Sequence, residues 1–153
     1  MIRRIRPYFV EDISHFTKEE ALFTIEDYCN QIVEKDISPK ICISGDLQLL
    51  QKVVDNLLGN AAAYSPAGGG RITVKVWQAA EKAHLTIENT GVHIPDEDIP
   101  KLFEAFYRVD QSRNRQTGGT GLGLYIVKII LDLHGAAIEI KNTSQGVMVS
   151  AQF

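Results

Sequence analysis

From Leu47 to Tyr64 the apolar residues Leu50, Val53, Val54, Leu57, Leu58, Ala61 and Ala62 recur with helical period. Asp46 stands where a cap is needed, and Pro66 with Gly68 to Gly70 closes the run, so the pattern predicts an amphipathic helix with one buried face. Leu122 to Leu133 returns to the same period and stops at Gly135. An earlier helix is expected from the capping box of Thr17 and Glu20, after which Leu22, Ile25, Cys29 and Ile32 follow at spacings of 3, 4 and 3. Period-two alternation marks strands at Ile41 and Ile43, at Ile72, Val74 and Val76, and at Leu85, Ile87 and Asn89. The middle and last of these read as an antiparallel pair around a polar turn at Glu81, apart from the short strand after Pro39. Two more strands are expected at residues 137 to 141 and 147 to 153, and a short helix near residues 98 to 105. Residues 2 to 10 read as an edge strand or a linker remnant, and Tyr107 to Gly121, polar and without period, as a mobile loop.

Three main helices covering one face of a mixed, largely antiparallel sheet of about five strands would bury every apolar stripe, which is the logic of a two-layer α/β (α+β) sandwich. With 153 residues and 44% apolar composition, one domain with a core of its own is expected. The 16 Lys and Arg against 19 Asp and Glu leave a formal charge of -3, so the chain has no overall positive field for a phosphate backbone and no nucleic-acid partner is expected. Cys29 and Cys42 lie far apart in apolar patterns and read as buried thiols of a reduced compartment rather than a disulfide framework. No run of 18 apolar residues occurs, and Arg3, Arg4 and Arg6 follow Met1 without the apolar stretch of a signal peptide. This piece is therefore expected to be soluble and intracellular, with any membrane helices of a larger parent lying outside it.

Three constellations carry candidate chemistry. Gly118, Gly119, Gly121 and Gly123 precede a helix, so backbone N–H groups can converge on a phosphate at the positive end of the helix dipole; a flexible linker would use the same residues. No Gly-Lys-Ser/Thr follows, and the third glycine of a dinucleotide fingerprint would fall on Leu124, which excludes both common phosphate loops. Asn56 and Asn60 lie four apart on one helix face, where an amide oxygen suits a hard cation such as Mg²⁺, although a solvated face is the plainer explanation of either alone. Asn89 to Pro95, at the end of a strand, could accept a hydrogen bond from a purine amine. The four histidines lack metal-ligand spacing, and His134 reads as a helix-end residue suited to the negative end of the dipole.

In this order the segments DNLLGNAAAYS (55 to 65), NTGVHIP (89 to 95), LFEAFYRVD (102 to 110) and GGTGLGLYIVK (118 to 128) resemble the N box, first glycine box, F box and second glycine box of the catalytic ATP-binding domain of sensor histidine kinases. That domain has the Bergerat fold, shared with gyrase, Hsp90 and MutL. NAAAYS and ENTG are also similar to the sensor kinases of vancomycin resistance. The resemblance implies a catalytic domain over residues 17 to 153, with residues 1 to 16 as linker or edge segment and a mobile ATP lid at about 107 to 121. It implies that Asn60 coordinates Mg²⁺, that Asn56 and Arg108 meet the phosphates, and that Tyr64 and Ile94 line the nucleotide pocket. Gly119, Thr120, Gly121, Leu122, Gly123 and Leu124 would wrap the triphosphate, and Gly91 would lie beneath the base. Phe103 and Phe106 would be hinge packing for the lid, or ordinary core.

Several positions depart from the family pattern. Asn89 replaces the aspartate that binds the adenine amine, His93 stands where a second glycine is usual and could crowd the pocket, and Ala63 and Gln116 replace basic residues; Arg113 and Arg115 would have to compensate. Weakened adenine recognition is therefore expected. Asn56 occupies the place of the glutamate that activates water in the hydrolysing relatives, and an amide cannot serve as general base. The resemblance thus implies a kinase that keeps ATP intact for a histidine on a separate dimerisation hairpin, with a response regulator downstream. His15, His84, His93 and His134 do not match an acceptor motif, so the fragment is expected to be monomeric and unable to phosphorylate itself, as the cytoplasmic part of a membrane-anchored bacterial sensor. A degenerate regulatory module or an anti-sigma-type serine kinase is the alternative. All of these expectations require Asn60 and Gly119 to Gly123 to share one cavity.

Overall fold

A computed structural model describes residues 7–9, 32–38, 41–66, 70–109 and 119–153. In chain order the elements are strands β1 (Pro7–Phe9), β2 (Ile32–Ile37) and β3 (Cys42–Ser44), helix α1 (Leu47–Tyr64), strands β4 (Arg71–Ala79) and β5 (Lys82–Thr90), a 3-10 turn (Ile99–Lys101), helix α2 (Gly123–Leu133), and strands β6 (Ala137–Asn142) and β7 (Gly146–Gln152). Five strands form the main sheet in the order β2-β4-β5-β7-β6, and β1 pairs with β3 in a separate ribbon. Only the β2–β4 pair is parallel among these, with Val33 opposite Ile72, so the sheet is mixed and largely antiparallel as the alternation predicts.

Two corrections concern the N-terminal part. Ile32, expected to end a helical stripe, opens β2, a strand the period analysis did not find. The reason is physical: Glu34, Lys35 and Asp36 interrupt any apolar alternation, as charges commonly do on an edge strand that must not recruit another chain. The expected short strand at Ile41 and Ile43 exists, but it pairs outside the main sheet, with Ile43 opposite Tyr8. Two of the three expected main helices, α1 and α2, are described; residues 17 to 31 of the third and Cys29 lie outside the described residues. No helix of the described residues is long and apolar enough to cross a membrane.

Helix α1 begins where Asp46 accepts a hydrogen bond from the Leu49 N–H at 3.1 Å, and it buries Leu50, Val53, Val54, Leu57 and Leu58 against the sheet. On the sheet side, alternation puts Ile72, Val74 and Val76 of β4 and Leu85 and Ile87 of β5 in the same core, where Val127 and Leu131 of α2 complete it. A second cluster forms around Leu102, Ile140 and Val147, beneath the 3-10 turn. His134 closes α2 and ties it to α1: its Nδ1 bonds the Ile130 carbonyl at 2.7 Å and its Nε2 accepts the Asp46 N–H at 3.0 Å. The ring is thus a donor–acceptor clamp between two helix ends, a more specific role than the dipole partner expected. At the β4–β5 turn, Ala80 and Glu81 both have positive φ (49° and 64°) between the paired Ala79 and Lys82, the geometry of a two-residue type I′ turn.

Candidate functional site

The start of α2 lies against the middle of α1. A Cβ added to Gly123 would sit 3.4 Å from Asn56 Oδ1 and 3.9 Å from Asn60 Oδ1, so both amide oxygens converge on the glycine-rich helix entrance. The four-residue spacing puts the two amides on one face of α1, and the missing side chain at 123 lets the helices approach there. Unlike α1, α2 has no side-chain cap: Leu122 occupies the N-cap and no acidic residue lies in the first turn. Its first N–H groups are therefore left for another acceptor.

A cavity of about 420 Å³ joins these parts. Asn56, Asn60, Arg108 and the backbone from Gly119 to Gly123 supply its polar wall. Val92, Ile94, Leu102, Ile140 and Val147 supply an apolar wall, all belonging to the second hydrophobic cluster. Asn89 also lines the cavity, opposite Val147 in the sheet register, and is 6% exposed, the one buried polar residue among those described. Asn56 Nδ2 is buried and makes no hydrogen bond among the described residues. A buried donor left unpaired costs about 1–3 kcal/mol, so it marks a place where an acceptor from a ligand would be stabilising.

The structure brings together Asn56, Asn60, Tyr64, Asn89, Ile94, Arg108, Gly119, Thr120, Gly121, Leu122, Gly123 and Leu124 on this one cavity. Gly91 does not line it. Its φ is +82°, a Cβ there would meet Pro66 Cγ at 2.7 Å, and its N–H donates to the Gln145 carbonyl at 2.9 Å, so it makes the turn that leads to Val92 and Ile94. His93 is exposed and also absent from the wall, so it does not crowd the cavity. Arg113, Arg115 and Gln116 lie outside the described residues.

The F segment enters differently from its expected form. In place of a helix over residues 98 to 105 there is the short 3-10 turn Ile99–Lys101, with Pro100 in its first turn, where a missing N–H costs nothing. Phe103 packs on the second cluster, whereas Phe106 is 72% exposed, so only the first phenylalanine is core. Phe106 has φ +65° and its N–H donates to the Gly121 carbonyl at 2.9 Å, stitching this segment to the entrance of α2.

Three positioning groups escaped the sequence analysis. Tyr107 lines the cavity and its hydroxyl donates to Asp98 at 2.5 Å; this bond first, then burial and the nearby carboxylates of Asp98, Glu104 and Glu97, push its pKa up to about 12. Asn142 pairs with both backbone groups of Ile94, accepting its N–H at 3.0 Å and donating to its carbonyl at 2.7 Å, so a side chain continues the sheet into the cavity wall. Gly146 opens β7 so close to β5 that a Cβ would fall 1.9 Å from the Asn89 carbonyl oxygen. No spacing rule exposes the first two, whereas the glycine at a strand start was a readable sign of close backbone approach.

Comparison with known proteins bears on this arrangement. Residues 45–153 match the family described as histidine kinase-, DNA gyrase B-, and HSP90-like ATPase. The chain is 40% identical over 127 residues to sensor protein VanSB of Enterococcus faecalis, covering 82% of this chain and 28% of that protein. It is 34% identical over 128 residues to sensor histidine kinase WalK of Bacillus subtilis, covering 83% of this chain and 20% of that protein. The chain thus spans roughly a quarter of the length of these relatives. Among solved structures, the mycobacterial sensor histidine kinase MprB superposes with a TM-score of 0.81 at 27% identity, over 97% of this chain and 95% of that one. The nucleotide-free catalytic domain of histidine kinase ThkA gives a TM-score of 0.83 at 21% identity, over 97% and 93%, a likeness of fold.

Proposed function

The chain belongs to the histidine kinase-, DNA gyrase B- and HSP90-like ATPase family as the catalytic domain of a two-component sensor histidine kinase, and from this premise we propose that its cavity holds Mg²⁺-ATP with the γ-phosphate presented to a histidine of a separate dimerisation hairpin. The observation that carries the proposal is the convergence of the Asn56 and Asn60 oxygens on Gly123 across one cavity. In this reading the apolar wall takes the base, with Asn89 facing its polar edge. The open N–H groups of α2 and the Arg108 guanidinium take the phosphates. Asn56 Nδ2 donates to a phosphate oxygen, which satisfies its orphaned N–H.

The donor set fits Mg²⁺. Asn60 offers a hard neutral oxygen, and no group of three or more His, Cys, Asp or Glu able to hold a metal occurs among the described residues, which suits a cation that draws its other ligands from phosphates and water. When bound, Mg²⁺ would neutralise phosphate charge beside the transferring group. The protein's own contribution is position and exclusion. No carboxylate lines the cavity among the described residues, and an amide at Asn56 cannot take a proton from water, so none of these residues serves as a general base for hydrolysis. An imidazole nitrogen attacking phosphorus in line forms the N–P bond as the bond to the β,γ-bridging oxygen breaks and ADP leaves. The phosphoryl group then passes to an aspartate of a response regulator.

We place the nucleotide-binding unit at residues 17–153, with a lid at about 107–121, on the cytoplasmic side of a membrane-anchored sensor. Calorimetric titration with ATP, with and without Mg²⁺, tests the binding. Mixing the chain with a dimerisation hairpin and Mg²⁺-ATP should give an acid-labile phosphoryl group on the hairpin alone. Absence of ATP binding at millimolar concentration would replace this proposal with a regulatory module that acts through protein contacts.

A further inference from the structure

On the nucleotide reading of the cavity, on which this inference rests, Asn89 faces the polar edge of the base. Its side chain is at least nine-tenths buried, stands in the cavity wall and is surrounded by apolar partners of the sheet and the second cluster. None of the hydrogen bonds among the described residues engages its amide, so neither end of it is committed to a partner among them. An amide carries one acceptor oxygen and a two-proton donor, and a half-turn about its last torsion exchanges them. A 6-aminopurine presents a donor at its exocyclic nitrogen beside the acceptor N1; a 6-oxopurine presents an acceptor at O6 beside the donor N1–H. One orientation of Asn89 complements the first edge, and the flipped orientation complements the second. A carboxylate at the same place would only accept, and would oppose O6 with like partial charge.

We propose that this base pocket accepts 6-oxopurine and 6-aminopurine nucleotides with comparable affinity, and that Asn89 is the residue responsible. Sites that commit a buried donor or acceptor reject the wrong edge strongly, whereas a reversible amide removes that penalty. The other walls named around the base, Val92, Ile94, Leu102, Ile140 and Val147, are apolar and read shape rather than polarity.

The test is competition binding of Mg²⁺-ATP and Mg²⁺-ITP to the full chain, since the inosine base carries the 6-oxo edge without a 2-amino group. Dissociation constants within about tenfold of each other are expected. ATP bound with ITP weaker by more than that overturns this inference and leaves the proposed function standing; failure of both nucleotides to bind overturns both. Asn89→Asp supplies a second measurement: the ATP preference over ITP should rise by about tenfold or more. A ratio unchanged in a variant that melts like the parent would remove Asn89 from the role.

Discussion

Gly121→Ala isolates the contact on which the glycine-rich end of the cavity depends. Gly121 has φ +73°, and an added Cβ would lie 2.9 Å from both the Cα and the carbonyl carbon of Phe106. Left-handed geometry costs a residue with a Cβ roughly 1–2 kcal/mol. The neighbour is backbone rather than a flexible side-chain tip, so relief requires the F segment to retreat and the 2.9 Å bond from Phe106 N–H to Gly121 O to lengthen or break. That bond is worth about 1 kcal/mol. Together these give a loss of about 2–3 kcal/mol, or a fall of roughly 4–12 °C in Tm for a domain of this size. Because Gly121, Arg108 and Tyr107 share the cavity wall, Mg²⁺-ATP affinity measured by calorimetry should fall with it, by tenfold or more on the order of the strain retained in the bound form. Gly119→Ala is the control: among the described residues its Cβ would meet nothing nearer than Arg108 Nη2 at 3.5 Å. That variant should stay within about 0.5 kcal/mol of the parent. Equal melting temperatures and equal ATP affinities for the two alanine variants would refute the claim that Gly121 is set by backbone geometry.

Other perturbations separate the remaining parts. Asn60→Ala should abolish the gain in ATP affinity on adding Mg²⁺ while leaving metal-free binding nearly unchanged, read by paired titrations; a preserved Mg²⁺ response would take Asn60 out of the metal role. Glu81→Gly should stabilise the chain by about 0.5–1 kcal/mol, because Gly holds φ near 64° without a Cβ penalty, and a lower melting temperature would contradict the type I′ turn. Tyr107 keeps its proton to about 12 in the folded chain, against 10.0 when free, so its bond to Asp98 contributes stability that is fully present below about pH 10 and is lost as pH rises through about 12. Tyrosinate absorbance should show a phenol titrating near 12, and Asp98→Ala should shift that titration down.

Much of the fold was legible because its helices and central strands are amphipathic on a large scale. The buried face of α1, from Leu50 to Ala62, is the apolar set of its helical period, and β4 and β5 bury alternate residues as their pattern requires. What escaped was set by tertiary surroundings. Strand β2 pairs in parallel with β4 across intervening chain, and its charged centre carries no local signature of that pairing. The glycines were legible as a group but not one by one: Gly121 and Gly146 are fixed by the backbone opposite them, Gly91 by Pro66, and Gly119 by nothing nearer than the tip of Arg108. Asn142 and Asp98 act through hydrogen bonds to residues 48 and 9 positions away, distances at which sequence spacing says nothing about contact.

On the proposed reading, the charge of the cavity wall would also separate holding a triphosphate from cleaving it with water. The chain as a whole is acidic, at -3, so attraction for a polyanion must come from groups at contact distance rather than from a long-range field. The uncapped N-terminus of α2, the Arg108 guanidinium and the orphaned Asn56 N–H are such groups, and none of them can accept a proton. A wall made of donors would neutralise phosphate charge equally well whether the attacking atom is a water oxygen or an imidazole nitrogen, but the water oxygen must shed a proton as it attacks, whereas the attacking nitrogen of a neutral imidazole carries none. With no carboxylate lining the cavity among the described residues, such a wall would favour transfer to an imidazole over hydrolysis on the proposed reading.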